Sequence, residues 1–151
     1  MARSAPPGEF HEVVRSRLDE LDIRYTAGRE QILRILEAEP GPRSAAELQE
    51  LSNDDVPMSS IYRTLMVLGD AGVLDKSHGA DGVARFELAE WLRGHHHHLV
   101  CIHCGAVEDV DVGAAHEAAL GELADRVAAS RGFTALGHRI DIEGLCGRCS
   151  A

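Results

Sequence analysis

Apolar residues recur at helical spacing through the first half of the chain. Phe10, Val13, Val14, Leu18 and Leu21 predict one amphipathic helix. Ile32, Leu33, Ile35 and Leu36 predict a second, capped by Thr26 and stopped by Pro40-Gly41-Pro42. Ser44 and Glu47 stand three apart, as a capping box requires, and open a short third helix through Leu48 and Leu51. Beyond the loop Asn53–Pro57, Ser59 is expected to cap a fourth helix that buries Ile61, Leu65 and Leu68 and ends at Gly72. The pattern then changes to strand-like alternation. Strands are expected over about 73–77 and 83–88, joined by the glycine-containing turn His78–Gly82. Helices followed by a hairpin predict a winged helix-turn-helix, whose second helix enters the major groove of DNA.

A linker over 89–94 follows. The second half predicts strands over about 98–102 and 106–112, then a helix over 114–131 with Leu120, Leu123, Ala124 and Val127 inward. A last strand is expected over 138–142, with His138, Ile140 and Ile142 on one face. The fold class is therefore α+β: a winged-helix domain over 1–88, a hinge over 89–94 and an α/β domain over 95–151. Residues 1–8 are expected to form a disordered arm.

Composition adjusts this outline. The chain has 151 residues, of which 44% are hydrophobic and only 4% aromatic, so its core must be aliphatic. Its start has no apolar stretch of the secretory kind, and no apolar run approaches the roughly 18 residues that span a bilayer. A cytoplasmic protein without a membrane partner is expected. Net charge is −10, shared as −6 before residue 89 and −4 after it. Nucleic acid favours basic surfaces, so DNA binding would have to rest on local arginines and on divalent cations offsetting carboxylates.

The chemistry is concentrated after residue 87. All four cysteines lie in two Cys-x-x-Cys pairs, Cys101/Cys104 and Cys146/Cys149, separated by 41 residues. Each tight turn can supply two corners of a tetrahedral zinc site, and four thiolates leave no open position, so such a site is structural. Two unrelated thiol motifs are the bland alternative. His95–His98 precede the first pair directly. In extended chain His96 and His98 face one side, His95 and His97 the other, so one strand can feed two metal sites. A solvated polar loop is the bland alternative here. Glu87, Asp109 and His138 could complete these sites. Each alone would more often be a solvated charge or, for His138, a satisfied core residue. On the fourth helix Ser60, Tyr62, Arg63 and Thr64 are candidate DNA contacts, joined by Arg24, although one arginine on a helix also fits an ordinary solvated face.

Taken together, Ser60-Ile-Tyr-Arg-Thr-Leu65, Asp70-Ala-Gly72, Arg85-Phe-Glu-Leu88, His95–His98 running into Cys101-x-x-Cys104-Gly105, His138 and Cys146-x-x-Cys149 resemble the ferric uptake regulator family over about residues 20–150. The resemblance implies a homodimer, with residues 95–151 as the dimerisation domain, that binds double-stranded operator DNA when metal-loaded and represses metal-homeostasis genes. It implies structural Zn2+ on the four cysteines and a regulatory Fe2+ or Zn2+ on Glu87, His96, His98 and Asp109. The family's usual further His before the third helix falls here near Pro42, leaving His11 or His78 to substitute. Zinc-sensing members often use an Asp matched by Asp75 and a Cys whose position here is about Ala89. An additional metal site matches His95, His97 and His138 plus a helical carboxylate. The helical position falls at Gly121 or His116 depending on the direction of counting, and Glu117 is the expected ligand, ahead of His116 and Glu122.

Two other functions compete. A metalloenzyme built on the His run would need an open ligand position and a separate acid or base. A metal-buffering or protein-interaction module would leave the winged-helix pattern unused.

Overall fold

The computed structural model describes residues 9–151; the arm expected over 1–8 lies outside them. Helix α1 (Glu9–Asp19) and α2 (Ala27–Ala38) are followed by β1 (Arg43–Ser44), α3 (Ala45–Leu51), α4 (Met58–Asp70), β2 (Leu74–His78) and β3 (Ala84–Leu88). A single helical turn, α5 (Glu90–Arg93), leads to β4 (His97–Cys101), β5 (Val107–Val110), α6 (Ala114–Ala129) and β6 (Asp141–Gly144).

The first half is a winged helix. Its core is aliphatic, built from Val14, Leu18, Ile32, Leu33, Leu36, Leu48, Ile61, Leu65 and Leu68. Val13 and Leu21, expected in the α1 stripe, are exposed. Thr26 accepts from the Arg29 N–H and starts α2, and Ser44 and Glu47 form the full capping box at α3. At α4 the expectation fails: the cap is Pro57, not Ser59. The Pro57 carbonyl accepts from Ser60 and Ile61, so Ser59 lies inside the first turn and is exposed. Gly72, at φ 70°, closes α4 while Val73 N–H returns to Leu68 O.

β2 and β3 pair antiparallel, and β1 adds a third strand on the far side of β3. The central strand β3 is covered on both faces, so Arg85, Phe86, Glu87 and Leu88 are all buried despite their mixed polarity. Arg85 pairs with Asp81 of the wing turn at 2.9 Å and lies 3.8 Å from Glu47 of α3. The segment expected as a linker carries α5. Trp91 Nε1 donates to Gly72 O, the Glu90 N–H donates to Asp75, and Leu92 joins the first core.

The second sheet has the order β5-β4-β6, with β4 antiparallel to β5 and parallel to β6. The last strand covers Asp141–Gly144 rather than 138–142, so His138 sits on extended chain ahead of it. Helix α6 has the expected apolar stripe but no buried residue: Leu123 is 49% and Val127 59% exposed. Among the described residues nothing buries that stripe.

The halves meet where the α2–α3 loop lies on β5. Asp109 N–H donates to Pro40 O. A Cβ on Gly41 would stand 2.7 Å from Val107 O and 3.2 Å from the Glu108 Cα, so only glycine lets the loop approach this closely. A second contact lies at the wing, where the Asp81 carboxylate and Arg85 press on Gly105 beside the first cysteine pair. Gly41→Ala is predicted to push the loop off β5 and cost about 1–3 kcal/mol, read from urea unfolding. Wild-type stability in that variant would show that the contact is not tight.

Candidate metal centres

Strand β4 sorts the four histidines by its pleat. His96 and His98 point into one cluster with Glu87 and Asp109, whereas His95 and His97 point into another with Glu117 and His138. The four cysteines form a third. Within each cluster the four potential donor atoms lie within 4.8 Å of one another.

The cysteine cluster suits a tetrahedral ion. Cys104 Sγ and Cys146 Sγ are 3.8 Å apart, the edge of a tetrahedron with metal–sulfur bonds of about 2.3 Å. Backbone N–H groups of Cys146 and Cys104 face Cys101 and pull its thiol down to about 6. The hydrogen bond shared with Cys146 pushes Cys149 up to about 12. Four neighbouring thiolates cannot all ionise by themselves, and a divalent ion is what would let them.

The Glu87 cluster joins the two halves. Glu87 comes from β3, His96 and His98 from the entry and body of β4, and Asp109 from β5, directly opposite His98 in the register. Glu87 is buried and lies 2.8 Å from His96 Nε2 and 3.2 Å from His98 Nε2. Burial alone would raise its carboxyl, but hydrogen bonds from the two histidines outweigh that and hold it at about 2. The bond to Glu87 lifts His96 to about 9 and also raises His98. Asp109 Oδ1 is buried, makes no hydrogen bond and stands 3.8 Å from both imidazole Nε2 atoms. Burial raises Asp109 as well, against the pull of Arg93. An orphaned carboxylate oxygen facing two imidazoles and a second carboxylate is a donor set that fits a divalent cation.

In the third cluster Glu117 is the hub. Its oxygens lie 2.9 Å from His97 Nε2, 2.9 Å from His138 Nε2 and 3.2 Å from His95 Nε2. The His138 nitrogen is buried yet not aligned for a hydrogen bond to that oxygen. Of the three helical candidates, Glu117 alone is in the cluster: His116 is exposed and bonds back to Val112 O, and Glu122 is exposed.

Neither substitute for the missing loop histidine reaches the Glu87 cluster. His11 is held by Tyr25 and Glu37 in the first half, and His78 is exposed on the wing. Asp75 caps α5 instead of joining the four donors. Three supporting groups did not stand out in the sequence. Asp141 bonds His98 Nδ1 at 3.1 Å, Glu90 bonds His95 Nδ1 at 2.5 Å, and Arg93 forms an ion pair with Asp109 Oδ2 at 3.2 Å. A partner on the second ring nitrogen orients an imidazole toward its ligand.

On α4, Tyr62 is 56% exposed and Arg63 and Ser60 are also exposed. Thr64 is only 8% exposed and turns toward the core, which removes it from the expected DNA contacts. Arg24 is exposed and, with Arg29, lines a groove shared with Val67 and Asp70 of α4; Arg29 was not anticipated.

A winged helix joined to a small sheet that carries three metal-competent clusters defines a metal-responsive DNA-binding regulator. The family model described as "Ferric uptake regulator family" matches residues 20–143, and the chain belongs to that family of transcription regulators rather than to an enzyme family. It is 32% identical over 142 residues to the ferric uptake regulation protein of Bacillus subtilis (strain 168), covering 91% of this chain and 92% of that one. It is 31% identical over 133 residues to that of Cupriavidus metallidurans, covering 85% and 88%. Among solved structures, the Vibrio cholerae ferric uptake regulator superposes with a TM-score of 0.69 at 28% identity, over 88% of this chain and 99% of that one. A zinc-bound manganese uptake regulator superposes with 0.68 at 28% identity, over 90% and 97%. No helix among the described residues is long and apolar enough to cross a membrane.

Because the Glu87 pairing lifts His96 from 6.5 to about 9, the protonated pair favours the fold below the ordinary histidine range and is lost as pH rises through about 9. A metal ion must displace that proton. Its affinity for this cluster is predicted to rise by about tenfold per pH unit below that point if one proton leaves, measured by chelator competition. A flat profile would contradict the pairing.

Proposed function

We propose that the chain is a homodimeric repressor that binds double-stranded operator DNA when a divalent ion, Fe2+ or Zn2+, is held by Glu87, His96, His98 and Asp109. One observation carries this reading: the four donors converge from both sides of the 89–94 segment. On this view residues 1–88 bind DNA, 89–94 act as the hinge and 95–151 dimerise. An ion shared across the hinge favours the closed arrangement by as much as it binds that arrangement better than the open one. Closure fixes the spacing of the two recognition helices in the dimer, so that Ser60, Tyr62, Arg63 and the neighbouring Arg24 reach successive major grooves together. The cation also offsets two carboxylates in an acidic protein, which reduces repulsion from phosphate.

Zn2+ on the four cysteines would fix the end of β4 against the segment after β6. The cluster of His95, His97, Glu117 and His138 would hold a further ion and fasten α6 to β4. The dimer is supported by the bare stripe of α6 and by exposed Leu99, Phe133 and Ile142, an apolar surface that a monomer rarely leaves open.

The double variant His96→Ala/His98→Ala is predicted to lose metal-dependent operator binding in a gel shift while remaining dimeric; a normal metal response would sink the hinge reading. Leu123→Glu/Val127→Glu is predicted to give monomers in analytical ultracentrifugation, with the four-cysteine zinc retained. Intact dimers would place the interface elsewhere.

A further inference from the structure

Arg93 ends the helical turn between the two halves. Its Nη2 donates to the Glu39 carbonyl at 2.5 Å and lies 3.2 Å from Asp109 Oδ2. Its Nη1 is buried without a partner. The guanidinium therefore fills the space between the end of α2 and the outer oxygen of Asp109. The loop behind it is sealed: Pro40 O accepts from the Asp109 N–H, a side chain on Gly41 would strike β5, and Pro42 is fully buried and has no donor atom in its side chain. Among the described residues, none offers the Glu87 cluster a further ligand from this direction.

The consequence falls on Asp109. Oδ2 is paired with Arg93 at 3.2 Å, and Oδ1 is the oxygen that stands 3.8 Å from both His96 and His98. A carboxylate free at both oxygens can chelate a metal; one held in this way offers a single donor. The guanidinium also cancels one of the two negative charges in the cluster. Mn2+, a hard ion, and Fe2+, a borderline one, usually take about six donors, whereas Zn2+ is satisfied by four donors of mixed nitrogen and oxygen type.

We propose that Arg93 is a specificity-determining positioning residue that holds Asp109 to one oxygen, closes the side of the cluster facing the α2–α3 loop, and so favours a four-coordinate ion such as Zn2+ over six-coordinate ions. This rests on the reading of the Glu87 cluster as a metal site. It assigns a role to a residue that touches no metal and reaches the ion through Asp109.

The test uses full-length protein with zinc kept on the cysteines. Co2+ is added, and the absorption that disappears in His96→Ala is assigned to this cluster. Wild type is expected to show the intense visible bands of four-coordinate Co2+. Arg93→Ala is expected to show the weak bands of higher coordination, and its preference for Zn2+ over Mn2+ in competition falls by about tenfold or more. Unchanged bands and preference in Arg93→Ala would overturn the proposal, as would weak bands in wild type. Retained cysteine-bound zinc and an unchanged unfolding temperature show that the variant is folded. Should it not fold, Arg93→Gln, which keeps a planar donor without the charge or the fork, is expected to move in the same direction, and wild-type behaviour there overturns the idea. If wild type shows no His96-dependent Co2+ bands at all, the metal-site reading of the cluster fails instead.

Discussion

The buried carboxylate of Glu87 is the constraint on which the rest of the architecture depends. An ionised carboxylate buried at the junction of the two halves would be strongly destabilising without cationic partners. Those partners, His96 and His98, come from the other half of the molecule. The charge therefore cannot be satisfied by the winged helix alone, and its pairing with His96 and His98 joins the loop contact at Gly41 in holding the two halves together. A divalent ion on the same donors would take the place of the imidazole protons, and the proposed switch requires that it bind this arrangement better than an open one.

The surrounding groups act on that core in graded fashion. Asp141 and Glu90 orient imidazoles from behind, and Arg93 restrains Asp109. None would be a ligand, yet each sets the direction or number of the donors. The wing adds a different link, since β3 carries Glu87 toward the hinge and Arg85 toward Asp81 and the cysteine turn. One strand of the first half thus touches two of the three clusters.

Much of this was legible in the sequence where short-range rules decide. The capping box at Ser44, the turn at Gly72 and the cysteine pairs are local patterns. The division of His95–His98 between two clusters follows from the pleat of a strand. Glu117 could be preferred over His116 and Glu122 because the helical period puts it near the expected face. Other features were set by approach in three dimensions. Arg93 and Asp141 gain meaning only once the α2–α3 loop and β6 come alongside. The failure of Thr64 as a DNA contact came from burial against the core, which its neighbours Tyr62 and Arg63 escape. The α6 stripe was expected to face inward, but among the described residues nothing buries it.

Four identical residues in a row have a further property. His95–His98 would present imidazoles to both faces of the sheet even if β4 slid by one position, because the side-chain period is two. The run is a message without a reading frame. The frame is set downstream, where Cys101 must meet its three fellow cysteines and Leu99, Val100 and Cys101 pair with Ile142, Glu143 and Gly144. An ion on the four cysteines would add to the strand pairing of β4 with β5 and β6, so its removal would leave every histidine in place while loosening the register that tells one cluster from the other.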